Sequence, residues 1–207
     1  MAESAEPTIG PMAIPSRVEA VAVLRALQPN DKLFNHCAVV GEVAAFLAAA
    51  MTRRGVPVNA PLVEVAAVLH DLDKALPADE PVRALGHGAA GAEWLRRNGF
   101  AELADVVAAH PVFVLGEAAS YDAWVAATSF ETRVVAYADK RSVQEVVSLD
   151  ARFERWYGFF PDSEMLPFAH ERARELEREV CAAAGLAPED VDRLAWVEAA
   201  MSEGAAA

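Results

Sequence analysis

The residues best equipped for chemistry stand at the end of one apolar run. Leu62 to Leu69 contains a single polar residue, Glu64, and leads directly into His70-Asp71, with Asp73 and Lys74 just beyond. A helix that is apolar on nearly all sides is one around which a domain packs. Ionisable groups buried at the end of such a helix are costly unless something pairs with them. A carboxylate there also meets the negative end of the helix dipole. A bound metal cation removes both objections, and it suits a neutral histidine beside an ionised aspartate. A His-Asp pair alone is a weak signal, so its meaning depends on what else faces the same point.

Caps and periodicity set out the elements that would position these groups. Ser16-Arg17-Val18-Glu19 is a capping box opening a helix to about Gln28. Asn30 or Asp31 caps a second helix that runs to about Arg54, with Gly55 as its stop. His36 shares a face of it with Val39, Val40 and Val43, so it points inward. Asn59 with Pro61 starts the central apolar helix, and Pro77 and Pro81 make the stretch after it a loop. A helix predicted from near Gly86 to Asn98-Gly99 carries His87 in its first turn. Another from about Ala101 ends in His110, before Pro111. The stretch 112–127 reads as irregular or briefly helical, and its Phe113, Tyr121 and Trp124 could wall a base-binding pocket. Thr128-Ser129-Phe130-Glu131 reads as a second capping box, opening a helix through about Val147. Asp139 falls on that helix's stripe of Thr132, Val135, Val143 and Val146. Ser148 caps a helix to Tyr157, and helices over about 163–184 and 188–201 follow. Valine runs keep helical rather than alternating spacing. The expected fold class is all-α, a compact multi-helix bundle. Its parts would be a flexible tail over 1–15, a core over 16–157, and C-terminal helices over 158–207 packed on that core.

A chain of 207 residues suits one domain with an extension. No stretch reaches the roughly 18 uninterrupted apolar residues of a membrane span. The N-terminus lacks the pattern of a secretory signal. Two cysteines, Cys37 and Cys181, make no disulfide framework, so a cytoplasmic setting is the default. The net charge of −13 argues against a nucleic-acid polymer as partner. It leaves room for a small phosphorylated metabolite held locally by metals and a few cations.

His36, His70, His87 and His110, with Asp71 and Asp139, lie on apolar faces or at their ends and come from five different helices. In a bundle with one core, such inward-facing groups converge. The sequence His36, His70-Asp71, Asp139 resembles the His…His-Asp…Asp signature of the HD-domain superfamily, mostly metal-dependent phosphohydrolases. His87 and His110 look like the two extra histidines of its dinuclear members. Tyr137-Ala-Asp-Lys-Arg141 resembles the helix that brings in the last aspartate. His70-Asp-Leu-Asp-Lys74 resembles a variant in which the lysine lies near substrate phosphate. The resemblance covers about residues 31–157.

It implies one metal held by His36, His70, Asp71 and Asp139, and a second held by His87 and His110 with Asp71 bridging. Imidazole with carboxylate suits one or two divalent ions of Fe, Mn, Co or Zn, and the absence of thiolate argues against a structural zinc site. Two cations about 3.5–4 Å apart can activate a shared hydroxide and neutralise phosphoryl oxygens. Asp71 and Lys74 would then be catalytic, Lys74 would also contact phosphate, and Lys140 and Arg141 would make outer phosphate contacts. The implied activity is cleavage of a phosphate ester or anhydride, with a nucleotide or dinucleotide as the leading substrate class. Two alternatives are a di-iron oxygenase of the same fold, and a non-catalytic ligand-binding or interaction module. Asp73 reads as a loop or supporting residue, His170 as structural and Cys37 as core. The acidic C-terminal helices could dock on the core or on a second copy in a homo-oligomer.

Overall fold

Side-chain caps begin the first three helices where their sequence signals stand. The computed structural model describes residues 14–192. Helix α1 (Arg17–Ala26) opens on the Ser16 capping box, with the Ser16 hydroxyl accepting from Glu19 N–H and the Glu19 carboxylate accepting from Ser16 N–H. Helix α2 (Asp31–Arg53) is capped by Asn30, whose side-chain oxygen accepts from Leu33 N–H at 2.9 Å. Helix α3 (Ala60–Leu69) is capped by Asn59 and has Pro61 in its first turn. Val63, Ala66, Ala67 and Leu69 are wholly buried, so α3 is the axis of the domain. A Cβ on Gly41 of α2 would stand 2.8 Å from Val68 Cγ2. Helices α2 and α3 therefore approach closely, which brings His36 beside His70. By length and mean hydropathy (1.6) α2 could cross a bilayer, but 61% of that window is buried within the bundle. Core packing accounts for its apolar character.

Past α3 the expected loop contains two 3-10 turns, Leu72–Ala75 and Pro81–Leu85. Helix α4 (Ala89–Arg97) starts later than predicted, because Gly86 and Gly88 take positive φ of 82° and 80°. His87 thus lies in the turn before α4, not in its first turn. Helix α5 (Ala101–Ala109) ends at His110, and two short helices follow, α6 (Val112–Glu117) and α7 (Tyr121–Ala127).

Helix α8 (Phe130–Lys140) corrects two expectations. Its cap is Ser129, accepting from Thr132 N–H at 3.1 Å, and not Thr128. Glu131 instead accepts the backbone N–H of Asn59 at 2.9 Å, tying α8 to the start of α3. The helix also stops at Lys140, so Val143 and Val146 do not continue its stripe. There the chain folds back: Val147 N–H donates to Arg141 O at 2.8 Å, the Arg141 Nε–H donates to Val147 O at 2.9 Å, and Ser142 pairs with Val146 in an isolated bridge.

Helices α9 (Leu149–Phe159, capped by Ser148), α10 (Leu166–Ala184) and α11 (Pro188–Asp192) complete the described chain. Helix α10 packs on α6, α8, α2 and α9. Ala169, Ala173, Leu176 and Val180 are wholly buried there, in the same core as α3. Among the described residues the architecture is all-α, with no strand. Residues 1–13 of the expected tail, and the part of the final expected helix beyond Asp192, lie outside the described residues.

Candidate metal centre

Each of the four converging histidines is anchored through Nδ1, leaving Nε2 to face the centre. His36 Nδ1 lies 2.9 Å from Val143 O, in the turn that ends α8. His70 Nδ1 lies 2.7 Å from Ala67 O, and His110 Nδ1 lies 2.6 Å from Val107 O, each reaching back one turn of its own helix. A carbonyl only accepts, so these Nδ1 atoms carry hydrogen, and each neutral ring presents a lone pair at Nε2. His87 Nδ1 is 3.0 Å from an Asp73 carboxylate oxygen, which holds the same tautomer. Asp73 thereby supports His87, in keeping with the supporting role expected for it.

The Nε2 atoms meet around Asp71. Its Oδ2 is 3.4 Å from His36 Nε2 and 3.5 Å from His70 Nε2. Its Oδ1 is 3.4 Å from His87 Nε2 and 3.7 Å from His110 Nε2. Asp139 Oδ1 joins the first pair, 3.3 Å from His36 Nε2 and 3.8 Å from His70 Nε2. Ligands about 2.0–2.2 Å from one ion stand roughly 3–3.5 Å from each other; four of these distances fall in that range, and those of His110 to Asp71 and His70 to Asp139 lie a few tenths of an ångström beyond it. Two details test the fit to a cation. His36 Nε2 and His70 Nε2 are 3.1 Å apart, so two lone pairs oppose each other unless a cation or a proton lies between them. His110 Nε2 is buried with no hydrogen-bond partner. The candidate groups His36–His70–Asp139, His70–Asp71–His110 and Asp71–Asp73–His87 overlap at this one place. The donor set fits divalent metal.

The electrostatics follow from burial among opposite charges. Burial pushes His36 down, but the carboxylates of Asp139 and Asp71 outweigh it and raise the imidazole to about 9. Burial lowers His110 to about 4. Burial would raise Asp71, yet the imidazoles facing it hold it well below the usual carboxylate range. Asp139 behaves likewise: His36, Lys140 and Arg152 overcome the effect of burial.

Of the predicted cationic residues, one reaches the centre exposed. Lys74 Nζ donates to Asp71 Oδ2 at 2.7 Å, and its side chain is 49% exposed. The expectation that Lys140 and Arg141 contact substrate phosphate is corrected, because both are buried. Lys140 Nζ donates to His110 O at 2.9 Å and Ala136 O at 3.1 Å. Arg141 binds Tyr137, Glu177, Asp192 and the carbonyls of Val147 and Pro188, fastening α8 to α10 and α11. Both therefore act inside the protein.

Two cavities open on the centre. The first, about 270 Å³, is bordered by Asn30, Lys32, His36, Asp71 and Gln144. The second, about 410 Å³ and more apolar, is bordered by His87, Phe113, Asp139, Trp156, Phe160 and Met165. Lys74 and Arg152 border both. Of the aromatic residues expected to wall a pocket, Phe113 borders the second cavity and Tyr121 and Trp124 border neither of the two. Trp124 is buried, and Tyr121 donates its hydroxyl hydrogen to Glu179. Trp156 and Arg152 were not singled out from the sequence. Their spacing of four residues on α9 is a signal that could have found them, since it places both on one face.

Comparison with known proteins agrees with this geometry. No solved structure matches the chain. An uncharacterized protein of Methanocaldococcus jannaschii is 32% identical over 90 residues. That stretch is 44% of this chain and 50% of the relative, so the chain spans about half the length of the relative it matches. The family model for the HD domain matches residues 33–143, more than half of the 207-residue chain. The match contains His36, His70, Asp71, His87, His110 and Asp139, and the chain belongs to the HD-domain family, a superfamily of metal-dependent hydrolases.

Proposed function

We propose that the protein is a metal-dependent phosphohydrolase that cleaves an ester or anhydride of a small phosphorylated metabolite, with a nucleotide or dinucleotide as the leading class. The observation that carries this reading is the division of Asp71, one oxygen toward His36 and His70 and the other toward His87 and His110, in a centre that one cavity reaches at His36 and Asp71 and a second at His87 and Asp139. His36, His70, Asp139 and Asp71 Oδ2 would hold one divalent ion, and His87, His110 and Asp71 Oδ1 a second. Imidazole with carboxylate favours Fe, Mn, Co or Zn. Such ions, when bound, bring the pKa of water to about 7 and neutralise phosphoryl oxygens.

The chain's own residues supply position and charge. The Nδ1 anchors fix four imidazole rings before substrate arrives, so little reorganisation is needed. Lys74, half exposed beside Asp71, is placed to take a phosphoryl oxygen as negative charge develops. The second cavity, walled by Phe113 and Trp156, suits a flat apolar group such as a base, and its volume of about 410 Å³ falls in the range of small-molecule sites.

Turnover of p-nitrophenyl phosphate, bis-p-nitrophenyl phosphate and a nucleotide and dinucleotide panel, with Mn, Fe, Co or Zn, tests the reading. The expected result is metal-dependent phosphate release that chelator abolishes and Lys74→Met lowers by about 10-fold or more. No turnover with any metal would overturn it. Oxygen consumption in place of phosphate release would put the redox alternative first.

A further inference from the structure

We propose that Arg152 is a substrate-binding residue whose guanidinium takes a phosphoryl oxygen where the two cavities meet. The inference rests on the phosphohydrolase reading and extends it to α9, outside the matched residues 33–143.

Three observations point the same way. First, position: Arg152 lies near the start of α9, where its backbone N–H donates to Ser148 O at 3.0 Å, and its side chain borders both cavities, as that of Lys74 does. A phosphoryl group where the cavities meet would thus have two cationic side chains beside it. In a chain of net charge −13, an anion needs such local help.

Second, orientation. The guanidinium carbon stands 4.3 Å from the centre of the Trp156 ring, so the planar group is braced on an aromatic face. Its Nη2 is 3.6 Å from Asp139 Oδ1, close enough for charge to matter and too long for a hydrogen bond.

Third, unmet donors. The Arg152 side chain is 17% exposed, and its Nε is buried without a hydrogen-bond partner. No side-chain hydrogen bond of Arg152 is found among the described residues, although a guanidinium has five N–H donors. The contrast with other arginines of this protein is direct. Arg141 spends its donors on carbonyls, a phenol and carboxylates, and Arg172 donates to Leu115 O and Gly116 O. A charged fork held in place with its donors unused is costly to keep, and an oxyanion in the cavity satisfies it with the geometry that arginine provides.

The test uses the full-length protein loaded with Mn, and inorganic phosphate as probe. Metal content, melting temperature and phosphate affinity by calorimetry are measured for the wild type, Arg152→Met and Arg152→Lys. The methionine variant is expected to keep the wild-type metal content and melting temperature while binding phosphate about 10-fold or more weakly. Arg152→Lys should recover part of that loss, since it restores the charge but not the planar fork. Unchanged phosphate affinity in Arg152→Met would overturn the proposal. So would loss of metal in that variant, which would make Arg152 a support for Asp139. A wild type that binds Mn but no phosphate would instead overturn the phosphohydrolase reading, and this proposal with it.

Discussion

At the scale of single residues, the hydrogen on each Nδ1 decides what the opposite nitrogen can do. His36 and His70 both spend that hydrogen on backbone carbonyls, and their Nε2 atoms then face each other at 3.1 Å. A metal ion relieves that opposition, and so does a proton. Without metal the proton belongs on His36, which its two carboxylate neighbours raise to about 9 against burial. Proton and metal therefore compete for one place, and metal uptake near neutral pH should release a proton. A histidine raised from 6.5 to about 9 stabilises the folded metal-free protein fully below about pH 6.5, and this contribution is lost as pH rises toward 9. His110, lowered to about 4 by burial, works on the other side: its contribution is lost as pH falls from 6.5 toward 4. Lys140, lowered by burial to about 8, adds stability only as pH rises above that value. Between pH 6.5 and 8 His36 dominates among these three. The melting temperature of the metal-stripped protein is expected to fall across that window, while the metal-loaded protein stays level. A level curve for the stripped protein, measured by calorimetry, would contradict the assignment of the proton.

At the scale of elements, the centre depends on a turn as much as on helices. His87 stands before α4 and His110 at the end of α5, and their rings approach with centroids 5.0 Å apart. Gly88 makes this possible, because its φ is +80° and a Cβ there would lie 2.7 Å from Pro111 Cγ and 3.0 Å from Ala108 O. Gly88→Ala is expected to destabilise the protein by about 1–3 kcal/mol and to remove about one metal ion per chain by parting the two histidines. Gly158→Ala, inside α9 where a Cβ meets nothing within 4 Å, should keep the metal content and not destabilise the protein. Unaltered metal content and melting temperature in Gly88→Ala would show that the turn is dispensable. The same elements show what can be read from sequence. The caps at Ser16, Asn30, Asn59 and Ser148 were legible because each is a short polar side chain bonding a backbone N–H three residues on. The cap of α8 was not, since Thr128 and Ser129 are equally able and only the Glu131–Asn59 contact draws Glu131 away. The end of α8 was also hidden. Nothing local stops a helix at Lys140, and the stop comes from Arg141 folding the following turn back on itself. His36, His70, Asp71, His110 and Asp139 were legible because a polar group on an apolar face has few reasons to be there. Lys140 and Arg141 were misread because charged residues are ordinarily exposed, and their burial depends on helices distant in sequence.

At the scale of the whole molecule, the centre and the walls around it come from different parts of the chain. The converging histidines and aspartates all lie within residues 33–143. Arg152, Trp156, Phe160 and Met165 border the cavities from beyond it. Helix α9 is held in place from α10, where His170 stacks on Phe153 with centroids 4.2 Å apart and its Nε2 lies 2.9 Å from Asp150. The reading of His170 as structural accords with these contacts. Helix α9 and the start of α10 thus shape what the centre can receive, while α2, α3, α5 and α8 shape what it can do. Ahead of any choice of substrate, the proposed two-metal centre requires that Asp71 serve two ions at once. Elemental analysis of protein purified without chelator and reloaded with Mn, for the wild type, His87→Ala and Asp71→Ala, measures this directly. The expected result is about two ions per chain in the wild type, about one in His87→Ala and close to none in Asp71→Ala. Full metal content in Asp71→Ala, or a wild type that binds none, would contradict it.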